Sequence, residues 1–106
     1  MLFRSGQGLT EGRYSDSNDD GIDITLELLR RPAPSLLFTN LVDFDSKYGH
    51  RNDPAGYAAC IERLDKRLPE VIGTLDGGLM FLTGDHGCDP TTPSTDHSRE
   101  IGRAHV

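Results

Sequence analysis

The chain has 106 residues, a net charge of −6 and a mean hydropathy of −0.48, which bounds it at one small domain with a thin core. Eleven Lys and Arg stand against seventeen Asp and Glu, so no basic cluster offsets phosphate repulsion and no nucleic-acid partner is expected. No apolar run approaches the ~20 residues of a bilayer span, and no membrane association is expected.

Two cysteines, Cys60 and Cys88, form neither a CxxC pair nor a disulfide framework. They imply a reducing, cytoplasmic location. Met1-Leu2-Phe3-Arg4-Ser5 carries no leader pattern.

Residues 1–19 are polar, glycine-rich and aperiodic, and read as a loop leading to a capped helix. Asn18, Asp19 or Asp20 supplies the N-cap oxygen, and Ile22, Leu26 and Leu29 then share one face. Arg30 and Arg31 suit the negative end of the helix dipole, and Pro32 closes the element. Ser35 to Val42 is a short apolar run whose length fits a strand buried on both faces, as in a parallel sheet.

A loop with Asp43, Asp45 and His50 follows. Asp53-Pro54 opens a second helix, Asp as cap and Pro at its first position. Tyr57, Ile61, Leu64, Leu68, Ile72 and Leu75 form its expected apolar stripe, and Pro69 is expected to kink or divide it. After the turn Asp76-Gly77-Gly78, Leu79 to Thr83 reads as another buried strand. The order helix, strand, long helix, strand predicts an α/β layer with a crossover connection.

Thr83-Gly84-Asp85-His86-Gly87 follows the carboxyl end of the second expected strand, and Asp43, Asp45 and His50 follow that of the first. Parallel neighbouring strands bring both groups to one sheet edge, where ligand sites of open α/β sheets lie. His97 comes later in the chain. The donors Asp45, His50, Asp85, His86 and His97 are carboxylate and imidazole, a set suited to Mn²⁺ or Zn²⁺ without thiolate. Two such ions clamp the oxygens of an in-line phosphoryl displacement. Gly49, Gly84 and Gly87 are expected to let the backbone turn sharply around them. Any one of these residues alone is as well read as a solvated loop side chain; two groups at one edge are not. Cys60 reads as a small buried hydrophobe, and Cys88 has a positional role at most.

The run from Phe38 to Asp45 and from Tyr48 to Tyr57 resembles the phosphopentomutases of the alkaline phosphatase superfamily. So do Asp85-His86-Gly87-Cys88-Asp89-Pro90-Thr91, Thr95-Asp96-His97-Ser98-Arg99-Glu100, Gly6 to Glu11 and Ser17 to Ile22. The resemblance implies an alkaline-phosphatase-like core with a mostly parallel sheet flanked by helices. It implies interconversion of ribose 1-phosphate and ribose 5-phosphate, or their deoxy forms, through a phosphorylated threonine and a bisphosphate beside two Mn²⁺ ions. It assigns Asp45, His50 and His97 to one metal and Asp85 and His86 to the other. Asp43 is then an orienting residue, and Arg51 pairs with a carboxylate or is solvated.

Residues 1–100 are accordingly expected to be part of the core domain, without the cap domain, the amino-terminal metal-binding Asp and the nucleophilic Thr. No residue is assigned as catalytic, Thr91, Thr92 and Thr95 included, and the chain is expected to be inactive alone. Ile101-Gly102-Arg103-Ala104-His105-Val106 is expected to be a non-native tail, because codons of a common sequencing adapter encode it. The alternatives are a cofactor-independent phosphoglycerate mutase, whose first cluster is more tightly spaced, another phosphotransferase of the superfamily, or a poorly folded fragment that only binds metal. A soluble α/β domain with no site has to place both clusters at one edge by chance.

Overall fold

A computed structural model of the chain describes residues 8–32 and 36–91. Helix α1 spans Asn18–Leu29, a π-helical turn spans Phe44–Gly49, and helix α2 spans Pro54–Thr74.

Helix α1 starts one residue earlier than its sequence suggests. Ser17 is the N-cap, in extended backbone, and its Oγ accepts from the Asp20 N–H at 3.1 Å. Asp19 and Asp20 sit in the first turn, where carboxylates complement the helix dipole. The opposite end departs from expectation. The helix stops at Leu29 with no basic residue in its last turn, and the two arginines form ion pairs instead. Arg31 meets Glu11 at 2.8 Å and Glu27 at 3.4 Å, and Arg30 meets Glu70 of α2 at 3.9 Å.

Asp53 caps α2 as its sequence implies, with Oδ1 accepting from the Gly56 N–H at 3.0 Å and Pro54 at the first position. Pro69 does not divide the helix, which runs on to Thr74. Proline removes one backbone donor, but Pro69 is exposed, so water can satisfy the carbonyl left over one turn earlier.

Ile22, Leu26 and Val71 make the core, joined by the partly buried Leu29, Leu41, Leu64 and Met80. On α2 the buried positions are Cys60 and Val71, whereas Ile61 and Ile72 of the expected stripe are exposed. The contact with α1 therefore uses a rotated face. Arg67 braces it from outside, reaching Asp23 at 2.6 Å and Asp19 at 3.4 Å; such surface pairs contribute little each.

The expected parallel sheet does not form among the described residues. The stretches 36–42 and 78–84 carry no regular secondary structure. Leu36, Leu79 and Phe81 are each more than four-fifths exposed. Only Leu41 from the first run and Met80 from the second reach the core. Both runs line a broad open groove of about 2130 Å³ with Ile22 and Leu29 of α1 and Ile61, Leu64 and Leu68 of α2. A strand apolar on both faces is held by ladder partners and by layers above and below it. Here helices cover one side, and the other remains open.

Candidate metal centre

The loop expected before α2 is helical. From Phe44 to Gly49 the chain makes one π turn, in which the His50 N–H reaches the Asp45 carbonyl at 2.9 Å. π turns recur at functional sites, because the wider turn shifts side chains relative to an α-helix. This one brings the side chains of Asp45 and His50 together, with His50 Nε2 at 3.0 Å from Asp45 Oδ2.

The second group arrives from across α2. His86 Nε2 lies 3.9 Å from Asp45 Oδ1 and 3.5 Å from Asp85 Oδ1. Asp45 Oδ1 is closed off from solvent. His86 Nδ1 is 2.9 Å from the Gly87 carbonyl. A carbonyl only accepts, so Nδ1 carries the proton. In the neutral ring Nε2 is then the bare nitrogen, turned toward both carboxylates, the arrangement typical of a metal-ligating imidazole. At His50 the Asp45 carboxylate can only accept, so Nε2 carries the proton donated to Asp45 Oδ2 at 3.0 Å.

Two segments separated by α2 thus bring the imidazoles of His50 and His86 to the Asp45 carboxylate, with the Asp85 carboxylate beside His86. That donor chemistry fits a hard or borderline divalent cation. Among the described residues, no three His, Cys, Asp or Glu side chains are gathered closely enough to hold an ion by themselves. His97, expected as a further ligand, lies outside the described residues, as do Thr92, Thr95 and the tail 101–106.

The neighbours of the centre differ from expectation in two respects. Gly49 is not among the described residues of positive φ, which are Gly8, Gly77, Asn52 and Asp76. Its requirement is space: a Cβ there stands 2.7 Å from Cys88 Sγ and 2.9 Å from the Phe44 carbonyl. Gly84 likewise has no positive φ. Cys88 thus packs the floor of the centre, and burial, then the negative charges of Asp45 and Asp89, push its thiol upward. Asp89 is held below the usual carboxylate range by the Thr91 hydroxyl and N–H, at 2.6 and 2.9 Å. That turn is the role the structure shows for Thr91. Arg51 is exposed.

Asp43 is buried, and its Oδ2 accepts from the Asn18 N–H at 2.9 Å and from Lys47 Nζ at 3.2 Å. Asn18 was legible only as a possible helix cap. Its bond across the fold to Asp43 leaves no trace in local sequence.

A sequence model of the Metalloenzyme superfamily matches residues 1–101. Among curated proteins, a phosphopentomutase of Kosmotoga olearia is 59% identical over 96 residues, which are 90% of this chain and 25% of the relative. A phosphopentomutase of Thermotoga petrophila is 57% identical over 99 residues, 92% of this chain and 25% of the relative. One from Anaeromyxobacter sp. (strain K) is 58% identical over 95 residues, 89% of this chain and 24% of the relative. The chain spans about a quarter of the length of the curated relatives it matches.

Proposed function

The chain belongs to the Metalloenzyme superfamily, and on that premise we propose that residues 1–100 are the metal-binding quarter of a phosphopentomutase-type enzyme. Asp45, His50 and His97 hold one Mn²⁺, and Asp85 and His86 belong to a second. Bound there, the ions supply positive charge for the oxygens of a transferring phosphoryl group. The substrates are pentose 1- and 5-phosphates with a bisphosphate as activator, in a reducing cytoplasm that keeps Cys60 and Cys88 as free thiols. Superfamily membership fits an α/β architecture, in which the apolar runs ending at Val42 and at Thr83 become neighbouring strands of a parallel sheet. The nucleophilic threonine is assigned to no residue of 1–106, and the segment 101–106 has no part in the site.

The observation that carries this reading is the meeting of His50 and His86 at opposite oxygens of Asp45, 3.0 and 3.9 Å away, from two segments separated by α2. The residues of this chain position one another there. The π turn aims Asp45 and His50, and the Gly87 carbonyl holds the His86 proton on Nδ1, with Nε2 on the side of Asp45 and Asp85. The naming of the relatives favours the pentomutase over a phosphoglycerate mutase.

The test is a graft. Residues 1–100 replace the matched segment of the phosphopentomutase of Thermotoga maritima, 56% identical over 99 residues. The graft is assayed for Mn²⁺-dependent conversion of ribose 1-phosphate to ribose 5-phosphate. Conversion that Asp45→Asn and His86→Ala each abolish supports the proposal. A soluble, folded graft with no conversion, or conversion indifferent to both substitutions, overturns it.

A further inference from the structure

Asn18 and Asp43 clasp one another through two backbone-to-side-chain hydrogen bonds. The Asn18 N–H donates to Asp43 Oδ2 at 2.9 Å, and the Asp43 N–H donates to Asn18 Oδ1 at 3.0 Å. Both residues are buried. The two bonds close a ring between the first residue of α1 and the residue immediately before the π turn. Asn18 is held from its other side by α2, with Nδ2 donating to Cys60 Sγ at 3.4 Å. Lys47 Nζ closes over Asp43 Oδ2 at 3.2 Å from within the π turn itself.

Neither group is explained by a cap. Ser17, not Asn18, caps α1, and the Asp43 side chain makes no cap bond to the turn that follows it. What the ring does fix is the entry of the chain into the π turn. Asp45 comes two residues later, and its direction toward His86 follows from that entry. A free rotation at Asp43 swings the π turn, Asp45 and His50 together, away from His86.

We infer that Asn18 is a positioning residue for the metal centre: with Asp43 it locks α1 to the π turn and so aims the Asp45 carboxylate. This rests on the reading of Asp45 as a metal ligand. Outer partners of metal ligands typically change affinity ten- to a hundredfold when removed; Asn18 touches no ligand and acts through Asp43 and the π turn, so its loss is expected at the lower end of that range.

The experiment titrates Mn²⁺ into the 106-residue chain by calorimetry, with amide hydrogen exchange followed separately without metal. Asn18→Ala is expected to weaken Mn²⁺ binding about tenfold, and Asp43→Ala about ten- to a hundredfold. Both are expected to speed exchange at Ser46 and His50 while leaving exchange in the middle of α2 unchanged. Asp43→Asn keeps an oxygen for the Asn18 N–H and is expected to stay nearer the parent than Asp43→Ala. The double variant is expected to be no worse than the weaker single one, because either change opens the ring.

Parent-like Mn²⁺ affinity in Asn18→Ala overturns the inference. So does an equal loss in Asp43→Asn and Asp43→Ala with none in Asn18→Ala, which assigns Asp43 a role through its charge alone. If the parent binds no Mn²⁺, or Asp45→Asn binds as tightly, the metal reading itself fails. Exchange at Ser46 and His50 then decides whether Asn18 holds the π turn. Unchanged exchange there removes the lock as well.

Discussion

Asp45 and His86 stand with Oδ1 and Nε2 3.9 Å apart although helix α2 separates them in sequence. Asp45 Oδ2 holds His50 at 3.0 Å, so one carboxylate is common to both halves of the centre. Asp45→Asn is therefore expected to weaken Mn²⁺ binding more than the loss of either histidine does. The expectation is at least about a hundredfold, the upper end of what outer partners cost. His50→Ala and His86→Ala should each cost about tenfold or more. Calorimetry of all three against the parent checks the ranking, and a larger loss in His86→Ala than in Asp45→Asn contradicts the shared-carboxylate arrangement.

Gly49 is required by crowding. A Cβ at this position meets Cys88 Sγ at 2.7 Å and the Phe44 carbonyl at 2.9 Å. The sulfur can move; the carbonyl belongs to the π turn and cannot shift without disturbing Asp45. Gly49→Ala is expected to destabilise the chain by about 1–3 kcal/mol, as overpacking does, and to lower metal affinity as well. Thermal unfolding of Gly49→Ala and of Gly49→Ala with Cys88→Ala separates the two clashes. Full rescue by the second substitution means that the sulfur, not the carbonyl, sets the limit.

Pro69 interrupts the hydrogen bonding of α2 at an exposed position without ending the helix. Replacing it with Ala restores a backbone donor and removes the helix penalty of proline, which reaches about 3 kcal/mol in an interior position. Pro69→Ala should raise the midpoint of urea unfolding. A lower midpoint means that the proline ring makes a favourable contact that outweighs its backbone cost.

Cys60 is 2% exposed. Burial is the chief reason its thiol is pushed up, opposed by Arg63 and aided by the negative charge of Asp43. The folded state thus holds this proton more tightly than the unfolded state does. Its contribution to stability is full below the unfolded thiol value, about 8.5. It declines as pH rises through that value toward the raised folded one. Unfolding midpoints should therefore fall across this alkaline window more in the parent than in Cys60→Ala. Peptide mapping after alkylation near neutral pH should find Cys60 modified far more slowly in the folded chain than in urea.

Leu36, Leu79 and Phe81 present a large apolar surface along the groove. Patches of this kind drive association. The 106-residue chain should show a low melting transition and concentration-dependent light scattering. Phe81→Lys combined with Leu79→Lys should reduce the scattering while the far-ultraviolet circular dichroism of α1 and α2 is kept. Scattering unaffected by both substitutions places the association elsewhere.

Local chemistry was legible in the sequence wherever neighbours in the chain act on one another. Asp53-Pro54 announces the start of α2, Ile22 and Leu26 announce the buried face of α1, and Asp76-Gly77 announces the turn after α2. The donor types at Asp45, His50, Asp85 and His86 mark the proposed centre for the same reason: ligand preference belongs to the side chain. Tertiary structure alone decided the rest. The exposure of Ile61 and Ile72 depends on which face of α2 meets α1, and one helical stripe fits several rotations. The π turn at Phe44–Gly49, the collision that reserves Gly49 for glycine, and the clasp of Asn18 on Asp43 all need partners far away in the chain. The same holds for the two apolar runs. Their composition marks them as strands for a two-sided interior, but a strand exists only when another chain segment supplies the ladder.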